Sequence, residues 1–173
     1  MKKAGKRRAY VRPKHYTIMD ELTASPSEPL PVEYQRHQLT RMYDGLAALQ
    51  VSPDPKAADW QVVSDAVNLM ETLTTANNGW WMDCDGESVQ ITDANGLLMD
   101  ATTALAMAGR RSKAGGALRL DGAGIVAVRS ILADYADLVK VLPARTMIRC
   151  HRLTEQRLHE LFSGKRKPHD VVV

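Results

Sequence analysis

The 173-residue sequence has few cysteines, few aromatic residues and no long apolar run. Its two cysteines, Cys84 and Cys150, allow at most one disulfide, which excludes a disulfide-rich scaffold and fits a reducing compartment. No apolar run approaches the roughly 20 residues that cross a bilayer, and the basic N-terminus lacks the apolar core of a signal peptide. We therefore expect a cytoplasmic protein that does not bind membranes.

Charge is distributed unevenly along the chain. Residues 1–16 carry seven basic side chains and no acidic one, residues 17–109 have a net charge of −11, and residues 110–173 have a net charge of +7. Clustered like charge steers an oppositely charged polymer toward it. Two interpretations follow: the basic ends contact an outside polyanion, or they fold back on the acidic middle of the chain and neutralise it.

Proline and basic residues set the N-terminal segment apart. Four prolines accompany the basic cluster within residues 1–31, and apolar periodicity is absent there. This composition predicts a flexible arm that is extended and polyproline-like near its end. A helical domain over residues 32–163 and a basic tail over residues 164–173 are expected to follow.

Most of the remaining sequence has the apolar spacing of amphipathic helices. Asp121 is suited to cap one helix, and Pro143 and Gly164 are suited to end the last two. The predicted helices span about residues 32–49, 56–75, 92–113, 122–142 and 144–162. The many alanines of the third helix predict a close approach by another helix. The last helix is expected to bury Ile148, Leu158, Leu161 and Phe162.

Residues 80–91 depart from the helical pattern. Asp85-Gly86 lies between two short runs of apolar and β-branched residues, which is typical of a β-hairpin. Two strands alone are marginal in water, so the hairpin must pack against helices. The fold class that we predict is all-α, a bundle of about five helices with a small β-hairpin insertion and disordered basic termini.

Each catalytic or metal-binding pattern in the sequence is incomplete. His151, Glu155 and His159 share one helix face, but the order His-Glu-x-x-His of zinc peptidases is missing. Acidic residues alternate over residues 83–87 as in a calcium loop, but Ser88 stands where an EF-hand needs glycine. We predict that the protein is not an enzyme, has no metal or cofactor, and uses both cysteines for packing.

Cations interleaved with aromatic residues indicate nucleic-acid binding. Such a composition neutralises phosphates while an aromatic ring stacks on an exposed base. Arginines also recur along one ridge of the last predicted helix, and more cations lie at residues 110–113. The predicted contacts with DNA or RNA, mainly to phosphates, are made by Lys6, Arg7, Arg8, Tyr10, Arg12, Lys14, Arg145, Arg149, Arg152, Lys165, Arg166 and Lys167.

The second hypothesis is binding to a host or phage protein. Trp80, Trp81 and Met82 form an apolar run beside the acidic middle of the chain, and tryptophan and methionine are favoured at interfaces. The acidic surface would then dock on a basic partner, for example as an inhibitor of a nucleic-acid enzyme. The alternative is that the tryptophans cover the core of the bundle. The sequence leaves the oligomeric state open.

Two stretches of the sequence form a recognisable pattern. Residues 7–14 read RRAYVRPK, and residues 59–71 read DWQVVSDAVNLME. In these stretches the chain resembles a group of small phage- and prophage-encoded bacterial proteins for which no activity is established. The resemblance implies a cytoplasmic accessory protein that is made during infection or lysogeny and acts on nucleic acid or on a host factor. It assigns no functional residue.

The nucleic-acid hypothesis predicts that replacing Arg7 and Arg8 together by alanine weakens retention on DNA or RNA. Because two phosphate contacts would be lost, the slope of log K against log salt concentration should fall by about one to two units. Retention on heparin and on single-stranded and duplex DNA across a salt series measures this slope. An unchanged slope would contradict a role for the arm.

Overall fold

Six α-helices and one two-stranded antiparallel sheet make up residues 15–164, the part of the chain that the computed structural model describes. In chain order these are α1 (Ile18–Thr23), α2 (Val32–Val51), α3 (Ala57–Thr75), β1 (Trp80–Met82), β2 (Ser88–Gln90), α4 (Leu97–Lys113), α5 (Gly122–Val141) and α6 (Ala144–Phe162). The predicted helical bundle with a hairpin insertion is therefore confirmed. Within the described residues, no helix combines the length and the apolar character that a membrane span requires.

Local chemistry determines where the long helices begin. The Asp121 side chain accepts a hydrogen bond from the backbone N–H of Gly124 at 2.7 Å, so it caps α5 as predicted. α4 begins at Leu97 rather than near residue 92. The cause is Gly96, whose φ of 69° lies in the left-handed region and cannot belong to a right-handed helix.

The core lies where α2, α3, α4 and α5 meet. α3 packs against the other three helices, and α5 packs against α2 and α4 as well. α6 packs against α3 on one side and against α1 on the other. The largest fully buried side chains include Tyr135, Met42, Leu49, Leu73, Leu105, Leu132, Leu142 and Met147. Their removal from water is the main force that brings these helices together.

The hairpin packs against α3 and the end of α5. The indole N–H of Trp81 donates to the Leu73 carbonyl at 2.7 Å. The backbone N–H of Cys84 donates to the Val141 carbonyl at 2.9 Å. The short sheet is thus supported by the helices, as its size requires.

Residues 17–31 fold against α6 instead of forming the flexible linker that their composition predicts. The backbone N–H of Ala144 donates to the Glu28 carbonyl at 2.7 Å, and that of Arg145 donates to the Ser25 carbonyl at 3.0 Å. The first N–H groups of a helix have no partner within the helix, so the extended segment caps α6. Composition does not reveal this contact because the two partners are far apart in the sequence.

The last turn of α6 also differs from the prediction. Ile148 is buried as expected, but Phe162 is 80% exposed. Phe162 borders a cavity, and no residue between 15 and 164 covers its ring. Periodicity identifies the inward face of a helix, but it does not show how far along that face a neighbour extends.

α4 and α5 approach each other closely, as the alanine-rich sequence of α4 predicts. A Cβ atom added at Gly124 would lie 2.5 Å from the Cβ of Ala104. That distance is too short for a side chain in a close-packed interior, where little space is left to relax into. Gly122, two residues earlier in the same helix, has open space around it.

We therefore expect Gly124→Ala to lower the free energy of unfolding by about 1–3 kcal/mol, the usual cost of overpacking. Gly122→Ala is the matched control. It should leave the stability unchanged or raise it by up to about 1 kcal/mol, because alanine is the better helix former. Urea unfolding of both variants measures the difference. If both variants are equally stable, α4 and α5 are not in such close contact.

Candidate functional site

A cavity of about 740 Å³ lies between α2, α3 and α6. α2 and α6 both pack against α3, and the space between them is left open. Each helix lines the cavity with residues three or four apart in sequence, because such residues share one helix face. The lining residues are Tyr34, His37, Gln38, Arg41 and Met42 of α2, Val62, Asp65, Ala66 and Leu69 of α3, and His151, Thr154, Glu155, Leu158, His159 and Phe162 of α6. The lining is completed by His15 and Tyr16, which precede α1, and by Tyr135 of α5.

Tyrosine hydroxyl groups form a polar cluster in this cavity. The hydroxyl groups of Tyr16 and Tyr34 are 2.7 Å apart. The side-chain N–H of Gln38 donates to the Tyr135 hydroxyl at 2.6 Å. Burial raises the pKa of Tyr16 and of Tyr135, and the nearby Tyr34 hydroxyl raises both further. Tyr16 and Tyr135 therefore keep their protons at pH 7 and can donate hydrogen bonds.

Two buried polar atoms in the cavity wall lack a hydrogen-bond partner among residues 15–164. They are Oε1 of Gln38 and Nε2 of His151. Burial lowers the pKa of His151 to about 4, so its imidazole is neutral at pH 7. The Tyr16 ring lies beside it, with a centroid distance of 5.4 Å. An unpaired buried polar group costs about 1–3 kcal/mol, so a molecule that pairs with these atoms would be stabilised here.

Charged groups lie toward the opening of the cavity. Nδ1 of His15 is 3.0 Å from Oε1 of Glu155, and the two side chains are 71% and 40% exposed. An ion pair so exposed contributes little to stability. Within residues 15–164, no three His, Cys, Asp or Glu side chains are grouped as metal ligands. His151, Glu155 and His159 thus share the cavity without forming a metal site.

Two of the three α6 arginines that are predicted to contact phosphates contact α1 or the residue that follows it. Arg152 forms an ion pair with Glu21. Arg145 donates to the carbonyls of Leu22 at 3.1 Å and Ala24 at 3.2 Å, at the C-terminal end of α1 where carbonyls lack helical partners. Arg149 is exposed. Arg152 therefore follows the interpretation in which basic and acidic segments neutralise each other, and nucleic-acid binding by all three arginines stays a prediction.

The other predicted cations do not extend the α6 ridge. Arg110, Arg111 and Lys113 lie in the last turn of α4, and the 20 residues of α5 come between α4 and α6 in the chain. The remaining predicted contacts lie outside the described residues: Lys6, Arg7, Arg8, Tyr10, Arg12, Lys14, Lys165, Arg166 and Lys167. For these residues nucleic-acid binding stays a prediction.

The three residues of the predicted protein interface form strand β1, and their side chains lie alternately on its two faces. Trp81 is 6% exposed and packs on α3, so it belongs to the core. Trp80 and Met82 are each 51% exposed on the other face of the strand. Successive side chains of a strand point to opposite faces, so adjacent tryptophans cannot both lie on the surface of a hairpin that covers helices.

Both thiols are poor nucleophiles. Burial raises the pKa of the Cys150 thiol to about 12. Burial and the neighbouring Asp83 also raise the pKa of the Cys84 thiol. The two cysteines are free, and both remain protonated at pH 7.

The cavity was not predicted from the sequence, although the sequence contains one signal of it. Tyr34, Gln38 and Arg41 follow one another at helical spacing on a single face of α2. Such a polar stripe is usually a solvated helix face. Only the placement of α6 opposite this stripe turns it into the wall of a cavity, and that placement depends on contacts between distant residues.

No family model, curated protein or solved structure matches this chain. The function is therefore inferred from the geometry and chemistry of the cavity.

The contact between α6 and α1 predicts that Arg152→Ala loosens α1. A hydrogen bond to a charged group is worth about 1.5–3 kcal/mol, so amide hydrogen exchange in α1 should accelerate about tenfold or more. The amide of Ala24, which donates to the Asp20 carbonyl, is a suitable reporter. Arg149→Ala removes an exposed arginine of the same helix and should leave the rate unchanged. Equal rates in the two variants would contradict the role of the ion pair.

Proposed function

We propose that this chain is a non-enzymatic binding protein that takes up one small, uncharged organic molecule in the cavity between α2, α3 and α6. The observation that carries the proposal is a cavity of about 740 Å³ that combines apolar walls with two buried polar atoms lacking partners among residues 15–164. Small-molecule sites typically have volumes of roughly 300–1,000 Å³, apolar walls and a few polar groups that fix the orientation of the ligand.

Apolar side chains would supply most of the binding free energy. Met42, Val62, Ala66, Leu69 and Leu158 line the cavity. Each Å² of apolar ligand surface that leaves water contributes roughly 25 cal/mol. The apolar part of a ligand would therefore lie against α3 and the adjoining faces of α2 and α6.

The charges around the cavity favour an uncharged ligand. Arg41, Asp65 and Glu155 line the cavity from three different helices, so both signs of charge are present. Each of these three side chains already takes part in a polar interaction. A charged ligand would lose its hydration without gaining a counter-charge that is not already engaged.

The chemistry of the lining supports binding without reaction. Within the described residues, the lining contains no serine or cysteine. Its one threonine, Thr154, donates its hydroxyl to the Cys150 carbonyl at 2.8 Å. A serine, threonine or cysteine nucleophile works when it is paired with a base, and the cavity lining offers no such pair among residues 15–164.

The other two hypotheses concern other surfaces and remain proposals. Nucleic-acid binding depends mainly on cations of residues 1–14 and 165–173, which lie outside the described part of the chain. Protein binding depends on the exposed pair Trp80 and Met82. Either surface is compatible with a cavity that binds a small molecule.

The proposal predicts that the protein binds one molecule of N-phenyl-1-naphthylamine, an uncharged probe whose fluorescence rises in apolar surroundings. Ala66→Leu should weaken this binding about tenfold or more, because the added side chain occupies the cavity. Ala57→Leu is the matched control, since Ala57 lies on the same helix and is exposed outside the cavity. It should leave the affinity unchanged.

Fluorescence titration measures both affinities, and circular dichroism shows that both variants are folded. Absence of probe binding to the unchanged protein would contradict the proposal. Equal weakening by both substitutions would place the probe outside the cavity.

A further inference from the structure

The cavity is rich in aromatic rings. Tyr16, Tyr34, Tyr135, His151 and Phe162 all line it. Aromatic rings prefer offset-stacked or edge-to-face neighbours, and such pairs gain about 0.5–1.5 kcal/mol beyond the area they bury. A planar aromatic ligand would therefore use this wall better than an aliphatic one.

Gln38 Oε1 and His151 Nε2, which lack partners among residues 15–164, favour a polar group on that ligand. Because the Gln38 side-chain N–H is used on Tyr135, its Oε1 is left as an acceptor that requires a donor. Nε2 of a neutral histidine donates or accepts according to its tautomer. A hydroxyl group both donates and accepts, so it can pair with Gln38 or with either tautomer of His151.

These atoms belong to one polar cluster. The rings of Tyr16 and His151 are neighbours, and the hydroxyl groups of Tyr16 and Tyr34 are hydrogen-bonded. The Tyr135 hydroxyl accepts a hydrogen bond from Gln38, and the nearby Tyr34 hydroxyl raises the pKa of Tyr135. A single hydroxyl-bearing ring is small compared with the cavity volume of about 740 Å³. Ordered water would pair with the same atoms in the absence of a ligand.

We propose that the cavity selects phenols, that is, uncharged aromatic rings whose hydroxyl group pairs with Gln38 Oε1 or His151 Nε2. This inference rests on the proposed function, because it names the ligand class of the same cavity. The aromatic ring would lie among the tyrosines, and the hydroxyl group would satisfy the polar atoms that lack partners among the described residues.

A matched pair of probes tests the selection. 2-Naphthol and 2-methoxynaphthalene have the same ring system and are both uncharged at pH 7, but only 2-naphthol carries a hydroxyl donor. Isothermal titration calorimetry of the full chain should show that 2-naphthol binds about five- to tenfold more tightly, the ratio expected from one additional neutral hydrogen bond. Equal affinities would overturn the phenol selection and leave the proposed function intact. If neither probe binds, the proposed function itself fails.

Variants then locate the hydroxyl contact. Gln38→Met and His151→Phe keep the size of the side chain and remove the polar atom, and at least one of them should reduce the preference for 2-naphthol to about one. Gln156→Met, the matched control, makes the same change at an exposed residue of α6 that does not line the cavity and should preserve the preference. The affinity for 2-methoxynaphthalene shows in each variant that the cavity is intact. A preference that survives both Gln38→Met and His151→Phe would overturn the assignment of the contact.

Discussion

The position of α6 on α3 depends on a buried ion pair. Nη2 of Arg157 and Oε2 of Glu71 are 2.7 Å apart, and the two side chains are 11% and 10% exposed. The hydroxyl groups of Thr72 and Thr154, 2.6 Å apart, join the same helices nearby. Loss of one partner from a buried pair is strongly destabilising, so these contacts hold α6 in one position. α6 consequently stays apart from α2, and the cavity is the space between them.

Ion pairs of this kind connect the basic C-terminal part of the sequence to its acidic middle. Arg157 and Arg152 belong to the basic C-terminal half, and their partners Glu71 and Glu21 belong to the acidic middle. Arg119 in the same way donates to the Ser52 carbonyl at 2.9 Å, at the end of α2. Arg145, Arg152 and Arg157 thus join α6 to other helices, and Arg119 joins the loop before α5 to α2. Nucleic-acid binding by the cations of residues 1–14 and 165–173 stays a prediction.

The sequence predicted the elements that depend on local patterns and missed those that depend on distant partners. α2, α3, α5 and α6 lie close to their predicted limits, because apolar periodicity, Asp121 and Pro143 act within a few residues. α1 was missed although Thr17 and Asp20 form a local capping box, because it has only six residues and no buried apolar stripe, and its contact with Arg152 of α6 is distant in sequence. The cavity was missed for the same reason, since its polar residues belong to separate helices that only the packing of α6 brings together.

We propose that the cavity between α2, α3 and α6 binds an uncharged aromatic molecule. A two-dimensional NMR titration of the full chain with 2-naphthol tests this binding. We expect saturable shifts confined to groups that line the cavity, including the side-chain amide of Gln38 and the methyl groups of Met42 and Leu69. Shifts centred on the hairpin around Trp80, or no saturable shifts at all, would contradict it.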